Sequence, residues 1–555
     1  MNLKNIRTTL LFKWLLYIIS FVLGIFLILA FYSQQQGWGL NYLFNSDILY
    51  FPTLFKDLFI DHYRPEGWYI PGSPGFFPDM LLYFIIMSIV GSPVLSSCIY
   101  SIVQFTLIMV LFNILIRQVL QEWNLYLLTV SNLMFILIVL VGIAGRSYLI
   151  TFHVLSNTYH LGAFVNALFA LIFSFYYIRF NKNKYLYFLF VISLVAIVSD
   201  RLFMTLYTIP FLIALVPWIR KKNLVIIGKL FGVNLLGSIT GIVCFNLLRN
   251  SKSIHIHHLY LNFSTEKIIK SFHVLMEQMK DYIVRWNLFS FVLIGCIIFT
   301  IVLIIILIIN RKEIFNNRLV VEKRSIYMIF ILFSLLFMLL VFWTPVLLGD
   351  YLAGSKMRYN VFVFYYGMLA FAPLISIAWN SSSGIKRLYL YIFVILLTFH
   401  IATAAIMINM KDFKSGLKRY FNHYPDIAKL MDEMNLKYPL KHGISTYWNT
   451  KVGTLFSKAN VRLYTVYDAN MVPYRHVCNE NWYYETGYGK YDPPVFNFMI
   501  FSKDESLEPV YALFGEPLAK EVWGDFIFLL VNDFIYSRDH KFPIPVIPPV
   551  SKQEE

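Results

Sequence analysis

The chain has 555 residues, of which 58% are hydrophobic and only 14% are charged. This balance excludes an ordinary soluble globular protein, because such proteins carry about 25% charged residues. The formal net charge of +16 does not indicate nucleic-acid binding, since the basic residues cluster in short segments between apolar runs, as they do in membrane proteins. The four cysteines are scattered and form no CxxC pair, so neither a disulfide framework nor a zinc site is expected.

Apolar runs recur along the chain, and a helix needs roughly 20 apolar residues to cross the hydrocarbon core of a membrane. Each run is bounded by charged residues or by Gly, Pro or Asn. The first run lacks a small-residue cleavage site, so we interpret it as an uncleaved span. The sequence therefore predicts an α-helical polytopic membrane protein with eleven spans, roughly at 12–32, 94–116, 125–145, 160–180, 184–198, 202–218, 224–247, 288–310, 325–347, 360–380 and 388–408.

The orientation prediction rests on lysine and arginine clusters, which mark cytoplasmic loops. Threading eleven spans places the clusters near residues 4–13, 179–184, 220–222, 311–324 and 386–387 on one side. The amino terminus is then cytoplasmic and the carboxyl terminus external. Residues 76–92 are apolar enough to span, but a crossing there would put the later clusters outside, so we expect them in the outer interface. The Ile-, Lys- and Asn-rich composition favours a bacterial inner membrane over an endoplasmic reticulum.

Three external regions result from this threading. Residues 33–93 form the first, and residues 248–287 form the second, with an amphipathic helix predicted from Glu266 to Trp286. The tail, 411–555, is mostly soluble in character and follows a transmembrane domain of residues 1–410. We predict a small α/β domain there, with helices at Asp426–Met434 and Ser506–Phe514 and strands at His442–Tyr447, Val461–Tyr467, Val495–Phe501 and Phe526–Val531.

The first external region carries the first carboxylate of the chain, Asp47, in the segment Asn45-Ser46-Asp47-Ile48. A carboxylate that is close to a hydroxyl and partly desolvated is a competent general base. Asp47 is therefore the candidate catalytic residue, and Asp79 either lines the same site or caps the next helix. Asp57 and Asp61 fit a solvated helix face, where they would pair with neighbouring cations.

Charged and polar residues at the external ends of later spans are candidate substrate ligands. Asp200 and Arg201 lie between two apolar runs, where charges are costly and are usually paired or functional; a local pair between them is the alternative. His160 belongs to a short polar link, with Arg146, His153 and Asn157, that either binds hydroxyls or phosphate or is structural.

Lys356 and Arg358 precede the tenth span. A guanidinium binds phosphate oxygens through two parallel hydrogen bonds, although interfacial anchoring explains both residues equally well. The run His255-Ile256-His257-His258 has no nearby acid before Glu266, so no metal site is predicted from it.

This arrangement resembles the GT-C glycosyltransferases that use polyprenyl-phosphate sugars, such as protein O-mannosyltransferases and aminoarabinose transferases. The resemblance lies in the acidic first external loop with Asp47, the Arg358-Tyr359 pair at a late span, the many spans and the external tail domain. Many such enzymes carry two adjacent acids in the first loop, whereas Asp47 stands between Ser46 and Ile48.

The resemblance implies transfer of a sugar from a polyprenyl-phosphate donor to a hydroxyl of a glycan, lipid or protein acceptor, with inversion at the anomeric carbon. Asp47 would deprotonate the acceptor, and Arg358, with Arg201, would hold the departing phosphate. The tail would help to receive the acceptor, through Tyr447-Trp448 among others. No cofactor is assigned, and a divalent cation stays open as an alternative. A transporter or flippase of a lipid-linked glycan, a cell-surface glycan polymerase or ligase, and a non-catalytic scaffold remain alternatives.

Overall fold

The structure is a computed structural model. It describes residues 3–145, 149–220, 223–251, 254–257, 264–285, 287–312, 319–351, 354, 357–378, 395–403, 405–408, 410–459, 461–485, 493–540 and 542–546.

Long apolar helices dominate the first three quarters of the chain. Seven described helices are long and apolar enough to cross a membrane, and an eighth crossing is added if the bent pair Ile395–Met407 and Asp412–Phe421 counts as one span. The protein is therefore an integral multi-pass membrane protein, as the composition predicts. The seven are Leu10–Gln34, Pro93–Leu120, Leu125–Ala144, Leu161–Phe180, Leu224–Asn250, Leu288–Ile309 and Lys323–Leu347.

These seven helices coincide with seven of the eleven predicted spans. The predicted spans at 184–198 and 202–218 fall on shorter apolar helices, Asn183–Ser199 and Met204–Trp218, and the one at 360–380 falls on an 18-residue helix. The last predicted span, 388–408, lies partly outside the described residues. Residues 76–92, which we expected not to cross, contain the shorter apolar helix Phe76–Val90.

The described α-helices are numbered in chain order. They are α1 Leu3–Gln34, α2 Trp38–Leu43, α3 Tyr50–Phe55, α4 Leu81–Val90, α5 Pro93–Leu120, α6 Leu125–Gly145, α7 Leu149–Val154, α8 Leu161–Phe180, α9 Asn183–Ser199, α10 Ile209–Leu215, α11 Leu224–Asn250, α12 Thr265–Val284, α13 Leu288–Ile309, α14 Lys323–Leu347, α15 Val361–Ala378, α16 Met410–Phe421, α17 Asp426–Lys437, α18 Tyr447–Phe456 and α19 Glu508–Phe514. The strands are β1 Trp68–Ile70, β2 His255–Ile256, β3 His442–Thr446, β4 Leu463–Val466, β5 Cys478–Asn479, β6 Phe496–Ser502, β7 Ala519–Trp523, β8 Phe526–Ile535 and β9 Ile544–Pro545.

Close helix packing fixes the position of α9, which ends directly before Asp200. Gly237 and Gly241 of α11 lie one turn apart and face α9, and a Cβ at these positions would lie 3.1 Å and 3.0 Å from the backbone oxygens of Phe190 and Leu194. Small residues spaced in this way let two membrane helices approach until their backbones nearly touch. The pair therefore holds the end of α9 in one place.

The tail forms the mixed α/β sheet region that the sequence predicts. Its strand order is β4-β3-β6-β8-β7, with β9 paired to β8; β4, β3 and β6 are parallel, and β8 runs antiparallel to β6 and β7. Each of the four predicted strands coincides with an observed one, and both predicted helices are present as α17 and α19. The predicted amphipathic helix is α12, and Trp286 lies outside the described residues.

A second, three-stranded sheet joins the first region (33–93), the second region (248–287) and the tail. Strand β1 of the first region pairs in parallel with β2 and antiparallel with β5 of the tail. Tyr69 is aligned with both His255 and Cys478. The first region, the second region and the tail therefore pack together into one structure above the ends of the apolar helices.

Candidate functional site

A cavity of about 300 Å³ lies where the apolar helices meet the first region and the tail. Such a volume is at the lower end for a small-molecule site. Its walls contain four of the candidate residues named from the sequence and one histidine from the tail: Asp47, Asp79, His160, Asp200 and His476.

Asp47 is held at the cavity by a residue of the tail. The hydroxyl of Tyr447 donates a 2.6 Å hydrogen bond to Oδ1 of Asp47. Burial, together with the charge of Asp47, raises the pKa of this hydroxyl, so Tyr447 stays protonated and acts as the donor. Tyr447 is the first residue of α18, and the positive end of a helix dipole favours a nearby carboxylate. Among the described residues, no donor is hydrogen-bonded to the other oxygen of this carboxylate, Oδ2.

The backbone around Asp47 is anchored from both sides. The side chain of Asn45 accepts from the backbone N–H groups of Asp47 and Ile48, each at 3.0 Å. Lys451 in α18 is only 1% exposed, and its ammonium donates to the carbonyl of Ser46 at 2.9 Å. Burial lowers the pKa of Lys451 to about 8, although the charge of Asp47 acts in the opposite direction. This contact is one that sequence reasoning missed, because nothing in the tail sequence singles out Lys451.

Asp79 is buried in the cavity wall. Tyr100 donates to its Oδ1 at 2.8 Å, and the backbone N–H of Gly162 donates to its Oδ2 at 3.1 Å. Burial is the largest effect on this carboxyl and raises its pKa to about 7, although both hydrogen bonds lower it. A Cβ on Gly162 would lie 2.4 Å from Oδ2, so glycine at the start of α8 makes the contact possible.

His160 and Asp200 form an ion-pairing dyad that also lines the cavity. Nδ1 of His160 lies 2.6 Å from Oδ2 of Asp200, and the backbone N–H of Leu202 donates to Oδ1 at 3.0 Å. Burial by itself would lower the pKa of His160, but the Asp200 carboxylate outweighs burial and raises it. Burial by itself would raise the pKa of Asp200, but His160 outweighs burial and lowers it. The pairing leaves Nε2 of His160 as the ring nitrogen for a ligand.

Arg201 does not line the cavity but supports its wall. Its guanidinium donates to the carbonyl of Gly72 at 3.3 Å and lies 4.4 Å from the ring centre of Phe245. Gly72 lines the cavity. The local pair of Arg201 with Asp200, which was the alternative interpretation, is not among the ion pairs of the described residues, because Asp200 pairs with His160.

Arg358 lies at the margin of the site. It is exposed, donates to the hydroxyl of Tyr359 at 2.7 Å and lies over that ring. Its charge reaches the neighbouring elements: it adds to the lowering of the His153 pKa, which burial mainly causes, and it opposes the rise of the His160 pKa. The other cation of this segment, Lys356, lies outside the described residues, as do Arg146 and His258.

A buried ion pair joins the first region to the tail. Asp57 is fully buried; its Oδ1 accepts from Arg462 at 2.7 Å and its Oδ2 from the indole of Trp482 at 2.6 Å. Arg462 also contacts Asp61, which Lys56 contacts at 2.7 Å. The expected solvated helix face is therefore wrong for Asp57, because Arg462, far away in the sequence, neutralises its charge. The pair fixes the tail against the first region and so holds Tyr447 beside Asp47.

Among the described residues, no group of three or more His, Cys, Asp or Glu side chains is arranged to hold a metal ion. His255 lies in β2 with its ring stacked on Tyr69 at 4.6 Å, which is a packing contact.

The fold and the cavity define a class: a polytopic membrane protein whose α/β tail helps to line a cavity at the ends of the apolar helices, with several titratable side chains in its wall. Comparison with known proteins adds no closer identity. No protein-family model matches the chain, and no curated protein matches it significantly.

Proposed function

We propose that the protein is a membrane glycosyltransferase that transfers a sugar from a polyprenyl-phosphate donor to an acceptor hydroxyl. The observation that carries the proposal is the cavity itself, which unites Asp47, Asp79, His160 and Asp200 at the boundary between apolar helices and the tail. A lipid-borne donor and a water-soluble acceptor meet only at such a boundary. The resemblance to GT-C enzymes supports the same reaction.

In the proposed reaction, Asp47 is the general base. Its Oδ1 is occupied by Tyr447, and its Oδ2 takes the proton of the acceptor hydroxyl as that oxygen attacks the anomeric carbon. The bond between the anomeric carbon and the phosphate oxygen breaks, and its electron pair stays on the phosphate. A single displacement of this kind inverts the anomeric configuration.

The departing phosphate needs a cation beside it. Arg358 is the candidate, because its guanidinium is exposed at the margin of the site and its charge reaches His160. His160, whose pKa Asp200 raises, adds a second donor when it is protonated. Arg201 then acts by holding the Gly72 wall rather than by binding phosphate.

We further propose that the chain crosses the membrane eleven times, with residues 1–410 as the transmembrane domain and 411–555 as an external domain. Hydrogen bonds between distant segments support this count, because bonded segments lie at the same face and an even number of crossings separates them. The bond between Asp79 and Gly162 brackets α5 and α6, and the dyad of His160 and Asp200 brackets α8 and α9.

The same parity extends to the remaining segments. Strand β2 pairs with β1, so an even number of crossings separates these strands. The helices α5, α6, α8, α9 and α11 would give an odd number, and so the short apolar helix 204–218 must cross as well. The backbone N–H of Tyr351 donates to Ser271, which brackets α13 and α14. Gln34 donates to the carbonyl of Met407, and so the described end of the last apolar segment returns to the face where α1 ends. The basic clusters favour a cytoplasmic amino terminus and, with the composition, a bacterial inner membrane.

A transporter is the main rival, and the distribution of charge favours the transferase. Transporters carry ionisable side chains in the middle of their spans. In the seven described long helices, lysine and arginine stand near the ends, as Arg117, Arg179, Lys229 and Arg249 illustrate.

The test is mass spectrometry of surface glycans and lipid-linked sugars in a deletion strain. We expect one sugar to be missing from the glycan and its polyprenyl-phosphate form to accumulate, with both effects reversed by the wild-type gene but not by Asp47→Asn. A strain complemented fully by Asp47→Asn contradicts the general-base role. An unchanged sugar profile in the deletion strain contradicts the transferase.

A further inference from the structure

A run of aromatic rings leads from the surface of the tail to Asp47. Its centre is Tyr447, whose hydroxyl contacts Asp47. The ring of Tyr447 meets those of Trp448 and His476, each at a centroid distance of 5.1 Å, and that of Tyr474 at 5.9 Å. Because His476 lines the same cavity as Asp47, the rings and the candidate base form one continuous surface.

The outer end of the run is open to solvent. Tyr474 contacts Tyr467 at 5.5 Å, and Tyr467 is 66% exposed while Trp448 is 58% exposed. We call the following four residues the aromatic track: Trp448, Tyr467, Tyr474 and His476. Large rings left in water on a soluble face lose the free energy that burial would supply, so a cluster of them connected to a cavity indicates a binding surface.

The chemistry of the aromatic track suits a carbohydrate better than a lipid chain. Sugar rings pack their C–H faces against aromatic rings and need polar groups for their hydroxyls. The track supplies both, since two of its members carry hydroxyls and one carries an imidazole, and Asp468 directly follows Tyr467 in the chain. A lipid chain would instead favour a surface without such polar groups.

We infer that the aromatic track binds the acceptor and that the acceptor is a carbohydrate. The inference rests on the proposed transferase function and deepens it, because that function alone leaves a glycan, a lipid or a protein open. The terminal sugar enters the cavity and presents its hydroxyl to Oδ2 of Asp47, while the preceding sugars lie along Tyr474, Tyr467 and Trp448.

Direct binding to the full-length protein in lipid nanodiscs tests this inference. The probes are maltotriose, cellotriose, mannotriose and chitotriose, and the readout is saturation-transfer NMR followed by titration. We expect at least one probe to bind, and the double variant Trp448→Ala/Tyr467→Ala to bind it at least tenfold more weakly. The ring-preserving pair Trp448→Phe/Tyr467→Phe should retain most of the affinity.

Two controls separate this inference from the proposed function. Leu518→Ala removes a 64% exposed apolar side chain elsewhere on the tail and should leave binding unchanged. Asp47→Asn should bind the probe, while its transfer falls roughly 10²- to 10⁴-fold. If Asp47→Asn binds and still transfers, the general base is wrong while the aromatic track stands.

Three results overturn the inference. They are the failure of every probe to bind, equal binding by the double alanine variant, and transfer by the wild type to a peptide or a lipid in place of a glycan. If the protein transfers sugar but binds no probe, the proposed transferase function stands and only the carbohydrate-binding role of the aromatic track is refuted.

Discussion

The hydroxyl of Tyr447 donates a 2.6 Å hydrogen bond to Oδ1 of Asp47, across 400 positions of sequence. The contact makes the tail part of the cavity, because the candidate base is oriented by a residue of α18 and not by its own loop alone. Lys451, one turn further along the same helix, holds the neighbouring carbonyl of Ser46.

Substitution at this contact should separate the base from its positioning residue. Asp47→Asn should lower transfer roughly 10²- to 10⁴-fold, which is the range for a general base. Tyr447→Phe should lower it roughly 10- to 100-fold, because one hydrogen bond to a charged group is lost. Both effects are measured as sugar transfer in isolated membranes that contain each variant. Tyr438→Phe, elsewhere in the tail, is the control. Equal transfer by Tyr447→Phe and Tyr438→Phe would show that the hydrogen bond does not position the base.

Gly162→Ala should disrupt the site without disrupting the helix. The added Cβ would lie 2.4 Å from Oδ2 of Asp79, so the carboxyl must leave its hydrogen bond to the backbone. We expect at least a tenfold loss of transfer with unchanged helical circular dichroism. Gly228→Ala, whose Cβ would meet nothing within 4 Å, is the matched control and should be neutral. Wild-type transfer by Gly162→Ala would refute the role of this contact.

The buried carboxyl of Asp79 should make stability depend on pH. Burial raises its pKa from 3.8 to about 7, so the folded protein binds the proton more tightly than the unfolded chain does. Its contribution is therefore complete below about pH 4 and is lost as the pH rises to about 7. The thermal midpoint of the wild type should fall more between pH 5 and pH 8 than that of Asp79→Asn. His160 and Asp200 titrate in both proteins, so an identical fall in the two would contradict the assignment.

Loss of Arg462 should destabilise the junction between the first region and the tail. Arg462→Met leaves the fully buried Asp57 without its cation, which costs roughly 3–5 kcal/mol in comparable pairs. The pair of Lys441 and Asp533 is solvent-exposed, so Lys441→Met should cost about 1 kcal/mol or less. Thermal unfolding and proteolysis of the tail measure both, and the double variant Asp57→Leu/Arg462→Met should recover part of the loss. Similar effects of Arg462→Met and Lys441→Met would disprove the anchoring role.

Cysteine labelling should reveal the eleven crossings. Glu66→Cys and Asp525→Cys should react with an impermeant reagent from outside, whereas Lys184→Cys and Lys312→Cys should react only after permeabilisation. All four positions are exposed, and three of the four native cysteines are buried, so the background is low. Labelling of Lys184→Cys from outside would contradict the crossing by α9, and labelling of Glu66→Cys only from the cytoplasm would reverse the orientation.

Part of the candidate site could be predicted from the sequence. Asp47, Asp79, His160 and Asp200 all line the cavity. Asp79, His160 and Asp200 adjoin the apolar helices α4, α8 and α9 in the sequence, and Asp47 is the first carboxylate after α1. The sequence indicated Tyr447 only as part of an aromatic pair in the tail, and it indicated no role for Lys451 or Arg462. Their roles arise from contacts with residues hundreds of positions away, for which a single sequence holds no signal.

The sequence by itself determined that this is a multi-pass helical membrane protein with an α/β tail. Both properties are local, since a crossing helix needs only its own apolar side chains and a strand or helix shows its period within a few residues. Only the tertiary structure decided that the tail closes the cavity, that Asp57 is buried against Arg462, and that β1, β2 and β5 form one sheet. Those relationships are non-local: they depend on how the segments pack and on which buried charges and backbone groups find their partners.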